Sequence, residues 1–325
     1  MTTAIRIHQP GGPEALTVED VTVGDPGPGE VRLQHTAVGL NYIDVYHRTG
    51  LYPVPELPCT LGLEAAGVVE AVGPDVTDLK VGDRVAYASP PLGAYSGARI
   101  MPADRVVPLP ATIDDRTAGA MMLQGMTVQY LLRRTYRVAP GPRLLIHAAA
   151  GGVGLILCQW ANALGAEVIG TVGSPDKAEK ARAAGCHHTI NYRDEDFVAR
   201  VGEITGGKGV DVVYDSVGHD TFMKSLDCLA PLGMLVSFGQ SSGKVEPFDP
   251  GVLSAKGSLF LTRPTLMTYT AKVSDLRAMA AELFDMVESG KVTIDIGQTY
   301  PLVDAAQAHR DLEARKTTGS TILLP

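Results

Sequence analysis

The spacing of apolar residues changes character along the chain, and its clearest stretch spans residues 143–171. Leu144, Leu145 and Ile146 form an uninterrupted apolar run, the pattern of a parallel strand covered on both faces. Gly151, Gly152 and Gly154 follow almost at once. Val153, Leu157, Ala161 and Leu164 then recur at helical spacing, with Gly165 placed to stop the helix, and a second apolar strand runs over 166–171. Downstream the two periods alternate. Helices are predicted over 175–184, 195–204 and 221–229, and strands over 188–192, 210–214, 234–238 and 258–262. Such alternation predicts an α/β fold with a doubly wound parallel sheet of six strands. Residues 1–120 read differently, with short strand-like pieces such as 30–37 and 67–71 separated by turns at Gly73-Pro74 and Gly82-Asp83. That portion is expected to be β-rich. A helix over 114–132 leads into the α/β part, and another over 274–289 shows Leu283, Met286 and Val287 as its apolar stripe. Short strands and a helix over 304–314 complete the tail.

A chain of 325 residues is long for one core, and the change of pattern places the boundaries. Residues 1–125 form the β-rich domain, 126–265 the dinucleotide-binding domain, and 266–325 return to the first. The net charge of −8 argues against a general nucleic-acid or anionic-membrane surface. Cys59, Cys158, Cys186 and Cys228 are scattered without metal or disulfide spacing, and neither a signal core nor a membrane-spanning run is visible. A cytoplasmic protein is expected.

The glycine turn suits a phosphate ligand, because a turn this poor in side chains lets backbone N–H groups reach a pyrophosphate at a helix N-terminus. A plain strand-to-helix turn also wants glycine, so context decides. No acid stands at the end of the second strand, where one would bind a free ribose diol. Gly173 leaves room there, while Ser174 offers a hydroxyl and Lys177 a cation, which together suit a ribose 2′-phosphate. Ser174 followed by Pro175 is also an N-cap with proline at the first helical position. Both roles use the same helix end.

Gly62-Leu-Glu-Ala-Ala-Gly-Val-Val-Glu-Ala-Val-Gly, Ala148-Ala-Ala-Gly-Gly-Val-Gly and Tyr214-Asp-Ser-Val-Gly occur in that order. The chain thereby resembles the medium-chain dehydrogenase/reductase superfamily. Leu40-Asn-Tyr-Ile-Asp, Gly50-Leu-Tyr-Pro, Asn191-Tyr192, Ser237-Phe-Gly-Gln-Ser-Ser-Gly and Thr262-Arg-Pro narrow the resemblance to its zinc-independent, zeta-crystallin-like NADPH:quinone oxidoreductases. Pro142 and Asn162 depart from the polar and basic residues usual beside the glycine motif. The resemblance implies a GroES-like domain beside a Rossmann domain, NADPH as cofactor, a quinone or other conjugated carbonyl as substrate, and a homodimer. It also implies roles for residues. Asn41, Tyr46, Tyr52 and Arg263 surround the nicotinamide end, with Tyr52 contacting the acceptor or else packing in the turn beside Pro53. Thr127, Gly152 and Val153 meet the pyrophosphate, and Gly173, Ser174, Lys177, Tyr192 and Arg315 form the 2′-phosphate pocket. Ser216, Phe238 and Ser241 line the groove at the strand ends.

Zinc dehydrogenases of this superfamily carry a cysteine near the Asn41 position and Gly-His-Glu where this chain has Gly62-Leu63-Glu64. Zinc needs converging imidazole, thiolate or carboxylate donors, so no metal is expected and Glu64 reads as a structural carboxylate. His187-His188, at a strand start, reads as a solvated pair. The alternatives are an enoyl or alkenal reductase, or an NADPH-dependent sensor or nucleic-acid-binding protein with little turnover.

Overall fold

The computed structural model describes all 325 residues, which divide into two compact units. One comprises Met1–Met126, Thr270–Glu288 and Ile294–Pro325; the other comprises Thr127–Tyr269 and Ser289–Thr293.

The second unit is built on six parallel strands. Across the sheet they run His188–Asn191, Glu167–Val172, Arg143–Ile146, Val210–Asp215, Leu229–Ser237 and Phe260–Thr262. The chain order reverses between Arg143–Ile146 and Val210–Asp215, and in doubly wound sheets ligands bind outside the carboxyl ends at such a reversal. Leu144, Leu145, Val168, Ile169, Val212 and Val213 are completely buried, as strands covered on both faces require. The helix Gly152–Ala163 buries more than its expected stripe, since Leu155, Ile156, Cys158 and Trp160 are inside as well.

Local chemistry moved several boundaries. The helix expected from residue 195 is Phe197–Thr205, because the Asp196 carboxylate accepts from Val198 N at 2.8 Å and Ala199 N at 3.2 Å and so fixes the start. The helix before the first parallel strand is Asp115–Tyr130 and ends in a wider π turn, Leu131–Thr135. The strand expected over 234–238 begins at Leu229 and passes Leu232 in a left-handed conformation (φ 64°).

In the first unit a seven-stranded sheet centres on Glu30–Leu40, which pairs antiparallel with Glu64–Val72, Ala98–Pro102 and Ser320–Leu324. The C-terminal strand therefore finishes the N-terminal sheet. Its core gathers Val31, Leu33, Val38, Leu61, Val69, Tyr87, Tyr95 and Leu323. The long helix Val273–Glu288 buries Leu276, Met279, Ala280, Leu283 and Phe284, whereas Met286 and Val287 are only half-buried. The real stripe lies earlier in the helix than the expected one. His187 and His188 are not simply solvated: Val168 N donates to His187 Nδ1 at 3.0 Å, and His188 Nε2 lies 3.1 Å from Glu167 Oε1. They buttress the strand pair they border. No helix is long and apolar enough to cross a membrane.

Candidate active site

In the second unit the phosphate turn is shaped by close backbone approach. Ala148 is left-handed (φ 55°), Gly151 N donates to Ala148 O at 3.0 Å, and Gly151 caps the helix Gly152–Ala163. A Cβ on Gly154 would lie 2.3 Å from Ala148 O and 2.7 Å from Ala149 C, so the helix meets its own turn at a distance only glycine permits. Gly152 and Val153 are half-buried and begin the helix, and no acid stands in its first turn. Their N–H groups have no partner within the helix, which makes this end a ready anion site.

At the end of the second strand Gly173, Ser174 and Tyr192 are neighbours, with Lys177 in the helix that follows; Arg315, expected with them, belongs to the first unit. Ser174 caps the helix Pro175–Ala183, its Oγ accepting from Lys177 N at 3.4 Å. Tyr192 folds back over Gly173, where a Cβ would sit 2.7 Å from the Tyr192 hydroxyl. The Tyr192 hydroxyl thus takes up the space beside Gly173, and Ser174 and Lys177 follow at the cap and first turn of the next helix. Asp176 is the acid of that first turn.

Two neighbouring parallel strands, Val210–Asp215 and Leu229–Ser237, end side by side. Asp215, fully buried, accepts through Oδ1 from Val217 N, Gly218 N and Thr221 Oγ1 at 2.7, 3.1 and 2.9 Å. It thereby tightens the turn carrying Ser216. Phe238 N donates to Asp215 O at 2.8 Å and Ser241 N to Ser216 O at 3.1 Å, so the turns carrying Ser216, Phe238 and Ser241 lie against one another. Arg263 donates to Ser237 O at 2.8 Å. Thr127 is buried beside Tyr130, whose ring stacks on Tyr269 at 4.4 Å.

The first unit holds the remaining candidates. Asn41 closes the strand Glu30–Leu40 and opens the helix Tyr42–Arg48, where the Asp44 carboxylate accepts from Asn41 N at 2.8 Å. Tyr46 is buried, and Tyr52 packs edge-on against it with ring centroids 5.1 Å apart while Tyr52 N donates to Tyr46 O. Arg315 follows the helix Ala305–Glu313 in a left-handed cap (φ 59°). Two helices of this unit, Tyr42–Arg48 and Ala305–Glu313, are tied by Arg48, itself 1% exposed, which donates to both Glu313 oxygens at 2.7 and 2.8 Å.

Behind Asn41 lies a polar assembly that sequence reasoning missed. Asn41 Nδ2 donates to Glu64 Oε2 at 2.6 Å, Gln124 Nε2 to Asn41 Oδ1 at 3.1 Å, and Ser320 Oγ to Gln124 Oε1 at 2.8 Å. Leu123 N donates to Glu64 Oε1 at 2.9 Å. Burial, reinforced by Asp44, pushes the Glu64 carboxyl up to about 8, and burial pushes Asp44 up to about 7. A second chain starts at Arg48. Its guanidinium donates to His309 Nδ1 at 3.1 Å, so the neutral ring carries its proton on Nε2 and donates it to Tyr95, whose hydroxyl donates to Asp44 at 3.0 Å. Burial and Arg48 hold the His309 imidazole down at about 3. No group of three or more His, Cys, Asp or Glu side chains is arranged to hold a metal ion.

A six-stranded doubly wound sheet with a glycine-shaped phosphate turn in one unit, and a β-rich sheet completed by the C-terminal strand in the other, define a medium-chain dehydrogenase/reductase. Residues 27–111 match the model of the alcohol dehydrogenase GroES-like domain and residues 152–285 that of the zinc-binding dehydrogenase. Quinone oxidoreductase of Pseudomonas aeruginosa is 55% identical, with 100% of each chain covered. A 2-haloacrylate reductase of a Burkholderia species is 52% identical over 100% of this chain and 99% of its own. The crystal structure of Escherichia coli quinone oxidoreductase complexed with NADPH, 52% identical, superposes with a TM-score of 0.98 over 99% of this chain and 100% of that one. The chain belongs to the quinone oxidoreductase family.

Proposed function

We propose that the protein is an NADPH-dependent quinone reductase that works without zinc. The observation that carries this reading is the full-length likeness to a quinone oxidoreductase seen with NADPH. The residues present fit that cofactor: a glycine-built anion site opens the first helix, and Ser174 and Tyr192 stand beside Gly173, with Lys177 in the first turn of the next helix and no carboxylate at the strand end. A bound NADPH supplies the hydride.

The chain's own residues bind and orient. Gly152, Val153 and Thr127 hold the pyrophosphate; Gly173, Ser174, Lys177 and Tyr192 hold the 2′-phosphate, to which the family resemblance assigns Arg315 as a second cation. Ser216, Phe238 and Ser241 line the groove, and Asn41, Tyr46 and Arg263 serve the nicotinamide end. Tyr52 offers its hydroxyl to the acceptor oxygen. Quinone reduction gives a delocalised hydroquinone anion, which needs less electrophilic help than a simple alkoxide. At the positions that carry zinc ligands in related dehydrogenases, Asn41 and Leu63 offer no suitable donor set, and Glu64 is occupied by Asn41 and Leu123. On the resemblance we also propose a cytoplasmic homodimer.

The 2-haloacrylate reductase relative favours a second reading, reduction of an activated C=C bond. Oxidation of NADPH with ortho-quinones, para-quinones, 2-haloacrylates and alkenals, with and without chelator, separates the two. Quinone turnover unaffected by chelator is expected. Turnover confined to alkenes reassigns the acceptor, loss of activity with about one zinc per chain removed overturns the zinc-free chemistry, and tight binding without turnover leaves a sensor.

Tyr52→Phe keeps the ring that packs on Tyr46 and removes only the hydroxyl. It is expected to lower kcat or raise the acceptor KM by about tenfold, the worth of one hydrogen bond to developing charge, with NADPH affinity nearly unchanged. Identical kinetics for every accepted quinone would leave Tyr52 as a packing residue.

A further inference from the structure

We propose that Glu64 is a positioning residue whose protonation state sets the facing of the Asn41 amide through the buried relay Glu64, Asn41, Gln124 and Ser320. The inference rests on the assignment of Asn41 to the nicotinamide end. Four elements meet in the relay: Asn41 ends the strand Glu30–Leu40, Glu64 begins Glu64–Val72, Gln124 lies on Asp115–Tyr130, and Ser320 begins Ser320–Leu324. Gly39 has no side chain because a Cβ there would lie 2.2 Å from Glu64 Oε2 and 2.6 Å from Gly119 O, so the carboxyl is pinned against backbone. Glu64 is fully buried, and Asn41, Gln124 and Ser320 are all 6% exposed or less.

An amide presents a donor at one end and an acceptor at the other, so the three contacts of this relay can be satisfied in two directions. With Glu64 ionised, its oxygens only accept: Asn41 Nδ2 faces it, Gln124 Nε2 donates to Asn41 Oδ1, and Ser320 donates to Gln124 Oε1. When Glu64 takes up one proton from solvent, its hydroxyl donates to Asn41 Oδ1. Asn41 Nδ2 then donates to Gln124 Oε1, and Gln124 Nε2 to Ser320 Oγ. Every contact survives with donor and acceptor exchanged, and the edge Asn41 offers the cofactor inverts. The ionised arrangement is the productive one.

Groups from each surrounding element bear on this ionisation. Asp44, from the helix Tyr42–Arg48, opposes it, and Leu123 N and Met122 N favour it by donating. Tyr87 and Tyr95 face the same carboxyl, with His35 and Arg99 beyond the first and His309 and Arg48 beyond the second. With the carboxyl pushed up to about 8 by burial, the inversion falls within an accessible pH range.

In Glu64→Gln the Oε1 position still accepts from Leu123 N, which turns the new amide N–H toward Asn41 Oδ1 and locks the inverted direction. At pH 9 this variant is expected to reduce quinones with kcat lower by about tenfold, as for one misdirected charge-assisted contact, at little change in the NADPH KM. The gap should narrow toward pH 6. Asp44 accepts from the Asn41 backbone and remains in place, so an alkaline step that persists unchanged in Glu64→Gln belongs to Asp44 and overturns the assignment. Equal kcat at pH 9 does the same. Gln124→Leu keeps Glu64 but frees the other end of Asn41; it should lower kcat while retaining the alkaline step, and an unaltered kcat counts against the relay. Infrared difference spectra of the wild type between pH 6 and pH 9, without any substrate, should show loss of a buried carboxyl C=O band together with a shift of side-chain amide bands. Absence of a paired change overturns the proposal even if Glu64→Gln fails to fold. This arm is independent of turnover, so failure to reduce quinones would defeat the proposed function and leave the relay decided.

Discussion

Replacing Lys177 or Arg315 by alanine should raise KM for NADPH by about tenfold or more while barely changing KM for NADH. The expectation follows from the end of the second strand, where Val172 and Gly173 lead into Ser174 with no carboxylate to accept hydrogen bonds from a free ribose diol. Ser174 and the Tyr192 hydroxyl stand there beside Gly173, and Lys177 follows in the first turn of the helix that Ser174 caps. A charge-assisted hydrogen bond contributes roughly 1.5–3 kcal/mol, and about 1.4 kcal/mol is tenfold in affinity. One such contact from Lys177 would therefore give a discrimination of that size. Because its corner is partly open to solvent, the effect should shrink as salt rises. The two cations answer separate questions. Lys177→Ala tests a neighbourhood contained within one unit, whereas Arg315→Ala tests the assignment that rests on family resemblance. Steady-state KM values for both cofactors at low and high salt decide each. Equal use of NADPH and NADH by the wild type would show that the corner does not bind a 2′-phosphate, and equal losses for both cofactors in a variant would show that its residue serves another part of the molecule.

The parts of the molecule legible in the sequence were those whose cause is local. Leu144 to Ile146, the glycines and the helical spacing after them announce a strand, a turn and a helix because each property is set within a few residues. Ser174 could be read both as a cap and as a ligand because the two roles use the same N–H-rich helix end. Boundaries shifted where one side chain decides them, as Asp196 does for its helix. The relay behind Asn41 was hidden for the opposite reason. Gln124 and Ser320 stand 83 and 279 positions from Asn41 in the chain (124 − 41 and 320 − 41), and nothing local distinguishes them from any other polar residue. They meet only because the C-terminal strand pairs with Glu30–Leu40, Thr321 opposite Leu40. Likewise, Arg48 gives no hint of His309 or Glu313. Glu64 was readable as a structural carboxylate because its zinc partners are missing. That it holds the Asn41 amide was not readable.

The same buried groups should make the first unit most stable at mildly acidic pH. Asp44 and Glu64 ionise ordinarily at 3.8 and 4.5 but at about 7 and about 8 in the folded chain. Between those limits the unfolded chain has already released its protons and the folded chain has not, so each rise in pH favours unfolding. His35 and His309 act in the opposite sense, since burial brings them from 6.5 to about 4 and about 3, and the unfolded chain takes up protons first as pH falls. From roughly pH 4.5 to 6.5 the two pairs oppose one another, and stability should be nearly level there. Above it only the carboxyls act, and the remaining loss up to pH 9 integrates to about 2–3 kcal/mol at about 1.4 kcal/mol per pH unit for each proton. Below it the histidines take over, joined by Asp114, whose carboxyl hydrogen bonds hold below its usual range. The single tryptophan, Trp160, lies in the other unit, so its fluorescence does not report this one. Amide hydrogen exchange along Glu64–Val72, with denaturant unfolding followed by far-ultraviolet circular dichroism, does. Protection at pH 6 should exceed that at pH 9 by the stated amount once intrinsic exchange rates are allowed for. Asp44→Asn together with Glu64→Gln should abolish the excess at pH 6 and, with the histidines left unopposed, tip protection slightly toward pH 9; greater protection at pH 9 in the wild type would show that both carboxyls are already ionised in the folded protein.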